Sequence, residues 1–356
     1  MTFFKEETRT EFEAKEYAQR IAFSPIVFQA TRTLRNLGLL KIVEEGGKEG
    51  ILFEEVVNKS NLSSYGVRVL LEAGLGIGLL TINNKKYKLT RTGYCILHDD
   101  MTRTNMDFVN DVCYKGMFDL DKSIENGKPE GLNTLGSWKT LYEGLAFFPE
   151  HVKKSWLTFD HFYSDSSFSS VFPHVFKSNP KRILDIGGNT GIWAIKCAAY
   201  SEDVQIGIVD LSGQLKMAEE SVKKEGLSKR ITFHEMNVLD ENEKFPNGYD
   251  IIWMSQFLDC FSEVEIVSIL QRCYDALDSN GQVFILEPFW DIQKFEVSAF
   301  CLQMTSLYFT NIANGNSQMY NSDLFTNLIT KAGFTLVERI DNIGISNSLL
   351  KCKKNA

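Results

Sequence analysis

Gly187-Gly188-Asn189-Thr190-Gly191 combines three glycines with two small polar side chains. It follows Ile183-Leu184-Asp185-Ile186, a run with the length and branching of a buried parallel strand, and it precedes a plausible helix from Trp193 to Ala199. Strand, glycine-rich turn and helix make the first unit of a nucleotide-binding domain. Glycines let a ligand lie against bare backbone, and the helix N-terminus offers free N–H groups. The order is not the Gly-x-Gly-x-x-Gly of a dinucleotide site. It is Asp-x-Gly-x-Gly-x-Gly with Asn189 at the middle glycine, and Asn tolerates positive φ better than other non-glycine residues. Lacking the pyrophosphate spacing, the loop suits a donor without phosphate, S-adenosylmethionine (SAM). The plain alternative is a tight turn with no ligand.

Asp210 closes the next strand-like run, 23 residues after Gly187. An acid there is placed to accept hydrogen bonds from both ribose hydroxyls, and bonds of that charge-assisted kind are strong. Asn237, after the third strand, is in position to meet an adenine edge. The expected cofactor set is therefore Asp185, Gly187, Gly188, Asn189 and Gly191 in the loop, with Asp210, Leu211, Asn237, Val238, Ser255 and Gln256 at the following strand ends. None of His98, His151, His161, His174 and His234 makes a metal or triad spacing with another, so no metal is expected.

These residues need a sheet to carry them. From Pro180 onward strands and helices alternate: Ile183–Ile186, Val204–Asp210, Ile231–His234, Tyr249–Met254 and Gln282–Glu287 read as strands. Thr335–Ile340 and Ser346–Lys351 read as a closing antiparallel pair. The expected class is α/β, a doubly wound, Rossmann-like sheet with an antiparallel last strand, behind a mainly helical N-terminal domain. Glu11 to Val43 is periodic at three and four residues, with Pro25 expected to start a helix. Helix, turn, helix and hairpin then follow from Phe53 to Thr90, the pattern of a winged helix. The domains expected are a winged-helix dimerisation domain over 1–100, a helical pocket region over 101–176 and the SAM-binding domain over 177–356. The middle region is dense in aromatics (Phe108, Tyr114, Phe118, Trp138, Tyr142, Phe147, Phe148, Trp156, Phe159, Phe162 and Tyr163); core packing accounts for most, and a few, which the spacing does not single out, could wall an apolar pocket.

A winged helix often reads DNA. Here the second helix offers only Arg68 as a cation, opposed by Glu72, and the net charge is −8. Lys85, Lys86, Lys88 and Arg91 on the hairpin read more simply as a solvated face, so no nucleic-acid partner is expected. No apolar run approaches a membrane span. Met1 to Arg9 turns charged too soon for a signal peptide. Seven scattered cysteines without a Cys-x-x-Cys pair suit reduced thiols in the cytoplasm.

With the loop, Asp250 to Glu263, Cys273 to Leu277, Gly281 to Glu287 and Lys331-Ala-Gly-Phe334 in view, the chain resembles the plant caffeate/flavonoid-type O-methyltransferases and their bacterial relatives in polyketide and pigment pathways. The resemblance runs from about residue 25 to the end. It implies a homodimer joined through the N-terminal domain, SAM as donor with S-adenosylhomocysteine as product, and a small, aromatic, hydroxylated acceptor. The family's catalytic histidine falls at Asp259, one supporting glutamate at Glu287, and the second near Met319. One polar position is therefore kept, one altered and one lost.

That pattern unsettles the chemistry. An unperturbed Asp lies roughly six pKa units below a phenol, about 8 kcal/mol for complete proton transfer. Burial near Glu287 would narrow the gap. Asp259 is open to three readings: base, orienting group, or N-cap of the helix after Ser262. Transfer to oxygen is the family default, and transfer to carbon its rival because the histidine is absent. Trp290, Phe300, Met304, Tyr308 and Met319 could form the pocket wall or be simply core. The alternative from another class is a winged-helix regulator whose degenerate enzyme domain senses a metabolite.

Overall fold

The computed structural model describes residues 3–355. These divide into two compact units, 3–107 and 108–355. In the first, a helix Glu11–Asn36 opens on a capping box, Thr10 accepting from the Glu13 N–H while the Glu13 carboxylate accepts from the Thr10 N–H. Pro25 lies inside this helix and does not start it. The ring forfeits one internal hydrogen bond, and the capped turns on either side of it carry the helix through. Leu34, Leu39, Leu40 and Val43 join Val56, Val67 and Leu71 in one buried cluster. Strands β1 (Ile51–Leu52), β2 (Leu80–Asn83) and β3 (Lys86–Leu89) form a small antiparallel sheet in the order β1-β3-β2. Asn84 and Lys85 turn the hairpin with positive φ, as a two-residue primed turn requires. Pairing of β1 to β3 was not legible in two residues of sequence.

The second unit begins with helices, the longest being Glu150–Val175, and continues into a seven-stranded sheet. Its strands are β4 (Arg182–Ile186), β5 (Gln205–Asp210), β6 (Ile231–Glu235), β7 (Ile251–Ser255), β8 (Gln282–Pro288), β9 (Phe334–Ile343) and β10 (Asn347–Lys354). The order is β6-β5-β4-β7-β8-β10-β9, parallel throughout except that β10 runs antiparallel to both β8 and β9. All seven expected strands are present, each within a few residues of its expected limits.

Strand alternation divides the core into two layers. Leu184, Ile186, Ile252, Met254, Val283 and Ile285 face one. Ile183, Ile206, Ile208, Trp253, Phe284 and Leu286 face the other. Strand order reverses between β4 and β5 on one side and β7 on the other, so a crevice opens beyond their C-terminal ends, where open α/β sheets bind ligands. Trp253 anchors the second layer, fully buried and stacked on Trp193 with ring centroids 4.3 Å apart. Trp253→Ala should cost about 3–5 kcal/mol, read as a lower urea midpoint at unchanged slope.

Candidate active site

The glycine loop is built as its residue types demand. Gly187 and Gly191 have φ of 78° and 79°, and Asn189 takes φ 48°. A Cβ on Gly187 would stand 2.2 Å from the Phe257 ring, so this position excludes every other residue on space as well as conformation. The Asn189 N–H donates to Asp210 Oδ2 at 2.8 Å and the Leu211 N–H donates to Asp210 Oδ1 at 2.7 Å. These bonds tie the loop to the end of β5. Burial still outweighs them and pushes Asp210 up to about 6. Asp185, 2% exposed, is raised further by burial and then by the Asp210 charge.

A cavity of about 230 Å³ lies over the loop. Ten of the eleven residues expected to hold the cofactor line it: Asp185, Gly187, Gly188, Asn189, Asp210, Leu211, Asn237, Val238, Ser255 and Gln256. Gly191 does not. It is the left-handed N-cap of the helix Ile192–Tyr200, where a Cβ would come within 3.3 Å of Ala218, so its part is to let two helices close. Gln256 also holds positive φ, at 47°, a strained state for a non-glycine side chain that turns β7 into the segment behind it.

The residues fit SAM on their own evidence. Asp185 Oδ2, Asn189 Oδ1, Ser255 Oγ and Gln256 Nε2 are buried, line the cavity and have no hydrogen-bond partner among the described residues. Unpaired buried polar atoms are costly unless a ligand completes them. Acceptors from Asp185 and Asp210 suit a donor carrying hydroxyls and positive charge.

Asp259 and Glu287 are 4% and 1% exposed, and neither lines the cavity. Glu287 Oε1 accepts from the N–H groups of Phe257 and Leu258 at 2.9 and 2.8 Å, so it holds the turn at 257–260 from behind. Burial raises both carboxyls, and the Asp259 charge raises Glu287 again. Asp259 is not a helix cap: the helix Glu263–Ala276 is capped by Ser262, in a capping box with Glu265.

Cys260 lines the cavity instead. Its thiol donates to Asp259 Oδ1 at 3.4 Å. Asn314 donates its Nδ2 to the Cys260 carbonyl, so the segment expected to hold the second glutamate braces the same turn by another route. Of the eleven middle-region aromatics, among which the sequence made no choice, Tyr142 and Trp156 line the cavity. The later set does not. Trp290, Tyr308 and Met319 pack in a helical core, while Phe300 and Met304 are about half exposed. Their helical spacing marked an apolar stripe, and the stripe faces elsewhere.

Sequence reasoning missed Asp160 and His161. Both line the cavity from the long helix: the Asn189 Nδ2 donates to Asp160 Oδ2 at 2.9 Å, and His161 Nε2 is 3.3 Å from Thr190 Oγ1. A chain gap of nearly thirty residues, with no motif at the helix, left no signal. Among the described residues no group of three or more His, Cys, Asp or Glu could hold a metal ion. No described helix is long and apolar enough to cross a membrane.

A sheet of this order with this loop defines a SAM-dependent methyltransferase of Rossmann-like fold, and the comparisons agree. Residues 15–87 match the Dimerisation2-like domain and residues 169–335 the O-methyltransferase domain. The L-tyrosine C(3)-methyltransferase of Streptomyces lavendulae is 24% identical over 327 residues, covering 90% of this chain and 87% of its own length. The 3-hydroxy-5-methyl-1-naphthoate 3-O-methyltransferase of Streptomyces sahachiroi is 30% identical over 117 residues, 33% of each chain. The solved structure of the SAM-dependent methyltransferase SibL superposes with a TM-score of 0.71 at 22% identity, over 96% of this chain and 99% of that one. The chain carries a domain of the O-methyltransferase family, with SAM as its methyl donor, and the relatives it resembles are bacterial polyketide- and pigment-type SAM-dependent methyltransferases. This family supports the enzyme reading over the metabolite-sensing regulator.

A donor that gives hydrogen bonds to Asp210 binds its ionised form best, so affinity should rise as pH rises through about 6. Calorimetry with S-adenosylhomocysteine from pH 5 to 8 should show this gain, at most tenfold per pH unit. Asp210→Asn should bind more weakly and lose the slope.

Proposed function

We propose that the chain moves the methyl group of SAM to a small, aromatic, hydroxylated acceptor, with Asp259 and Glu287 as the proton-accepting pair behind the pocket. One observation carries this reading: the donor end of the cavity runs on, without a partition, to Tyr142, Trp156, Phe257, Cys260 and Phe261. Flat acceptors are commonly held between such side chains. SAM supplies a methyl group on a positively charged sulfur. The eleven residues from Asp185 to Gln256 are its proposed binding set, Gly191 acting through the helix start.

The protein's part is orientation and removal of one proton. Tyr142 and Cys260 meet the acceptor, and the Cys260 thiol also reaches Asp259. The acceptor's hydroxyl proton leaves through this pair to the Asp259–Glu287 carboxyls. Because burial raises Asp259, it is a better match to a phenol than an exposed Asp. The same route serves methylation at an oxygen or at an adjacent ring carbon, since either loses one proton overall. Relatives of both kinds carry names that fit: one methylates tyrosine at carbon, another a hydroxynaphthoate at oxygen.

We place dimerisation in a winged-helix domain over residues 1–100, with 101–176 as pocket region and 177–356 as the catalytic domain. Support comes from the family match at 15–87 and from Phe12, Ile21, Phe23 and Ile26, all exposed on the helix Glu11–Asn36. A homodimer working in the cytoplasm is the reading that also suits seven unpaired thiols. Sedimentation should give twice the chain's mass, and Ile21→Asp with Ile26→Asp should give the monomer.

The decisive experiment is SAM consumption over a panel of phenols. Asp259→Asn should lower kcat by roughly 10²–10⁴ with the S-adenosylhomocysteine affinity unchanged. Cys260→Ser, which keeps a donor and an acceptor, should retain more activity than Cys260→Ala. Full activity in Asp259→Asn would remove the base role. No binding of SAM or its product at millimolar levels would remove the methyltransferase reading.

A further inference from the structure

The cavity wall is acidic to a degree that the donor does not account for. Glu143, Asp160, Asp165, Asp185, Asp210 and Glu265 line it, and among the described residues no Lys or Arg does. His161 is the one basic side chain, and it lies 3.4 Å from Asp165. SAM carries a sulfonium, an ammonium and a carboxylate, and with Glu265 held in the Ser262 capping box, Asp165 against His161, and Asp185 and Asp210 facing the donor, Asp160 is left with the Asn189 amide as its hydrogen-bond partner. Asp185, 2% exposed with Oδ2 unpartnered, shows that the site is built around a ligand and is not a solvated acidic face.

We propose that the acceptor is an aromatic phenol bearing a protonated amine, received by Asp160, and not a phenolic acid. This rests on the methyltransferase reading and sharpens its substrate class. Asp160 is the carboxylate common to both ends of the cavity. It accepts from Asn189 in the donor loop at 2.9 Å and lines the cavity that also holds Tyr142, Phe257 and Cys260. Trp156 stands one helical turn earlier on the same face and lines the same cavity. A carboxylate beside an aromatic face is a recurring receptor for a cation. An acceptor carboxylate would instead be desolvated among like charges, with His161, already against Asp165, as the one basic side chain of the described lining.

The test is calorimetry on the full-length protein saturated with S-adenosylhomocysteine, using three phenols that differ in one group: 2-(4-hydroxyphenyl)ethylamine, 4-ethylphenol and 3-(4-hydroxyphenyl)propanoate. The amine should bind at least tenfold more tightly than the acid, with the neutral phenol between them. In Asp160→Asn the amine's advantage over the acid should shrink to threefold or less, compared at S-adenosylhomocysteine concentrations that saturate each protein. Absence of amine binding, or an acid that binds as well as the amine in the wild type, overturns the proposal. So does a variant that loses S-adenosylhomocysteine affinity but keeps the amine's advantage, because Asp160 would then serve the donor. If S-adenosylhomocysteine itself does not bind the wild type, the methyltransferase reading fails first.

Discussion

Taking a carboxylate out of water costs several kcal/mol unless hydrogen bonds or a cation replace the solvent, and this fold does so five times around one cavity. Burial raises Asp160, Asp185, Asp210, Asp259 and Glu287 alike. Only part of the cost is met within the protein. Asn189 and Leu211 supply N–H groups to Asp210, and Phe257 and Leu258 supply them to Glu287. The rest is left for a cationic, hydrogen-bond-donating ligand, so the sheet's C-terminal edge is poised for binding at the expense of stability.

The turn at 257–260 depends on the same constraint. Glu287, at the end of β8, holds its N–H groups, and Asn314 holds the Cys260 carbonyl from another segment. With the turn clamped on both sides, Phe257 seals Gly187 from beneath and Cys260 reaches the cavity. The short Asp259 side chain stays behind, where a longer histidine would have reached forward. The Asp259 carboxyl is thus left out of the cavity lining, and its neighbour Cys260 takes that place.

Much of this architecture was legible in the chain. Short, near-continuous apolar runs marked the parallel strands of the large sheet, because a parallel strand buried on both faces tolerates little else. The loop's ligand class was legible because glycine, Asn and Asp are there for backbone and hydrogen-bonding reasons that hold locally. Pro25 misled, since its preference for a first helical turn is weaker than the continuity of a long capped helix. The aromatics of 290–319 misled because periodicity reports that a face is apolar and says nothing about which neighbour it meets.

By itself the sequence determined the sheet, the donor loop and the acids at the strand ends, since each rests on residues close together in the chain. Tertiary structure alone decided the acceptor side. It brought Asp160 and Tyr142 to the glycine loop, placed Cys260 ahead of Asp259 and turned the 290–304 stripe away. Those are contacts between segments tens of residues apart, and they depend on how helices pack across the sheet edge, which no local spacing encodes.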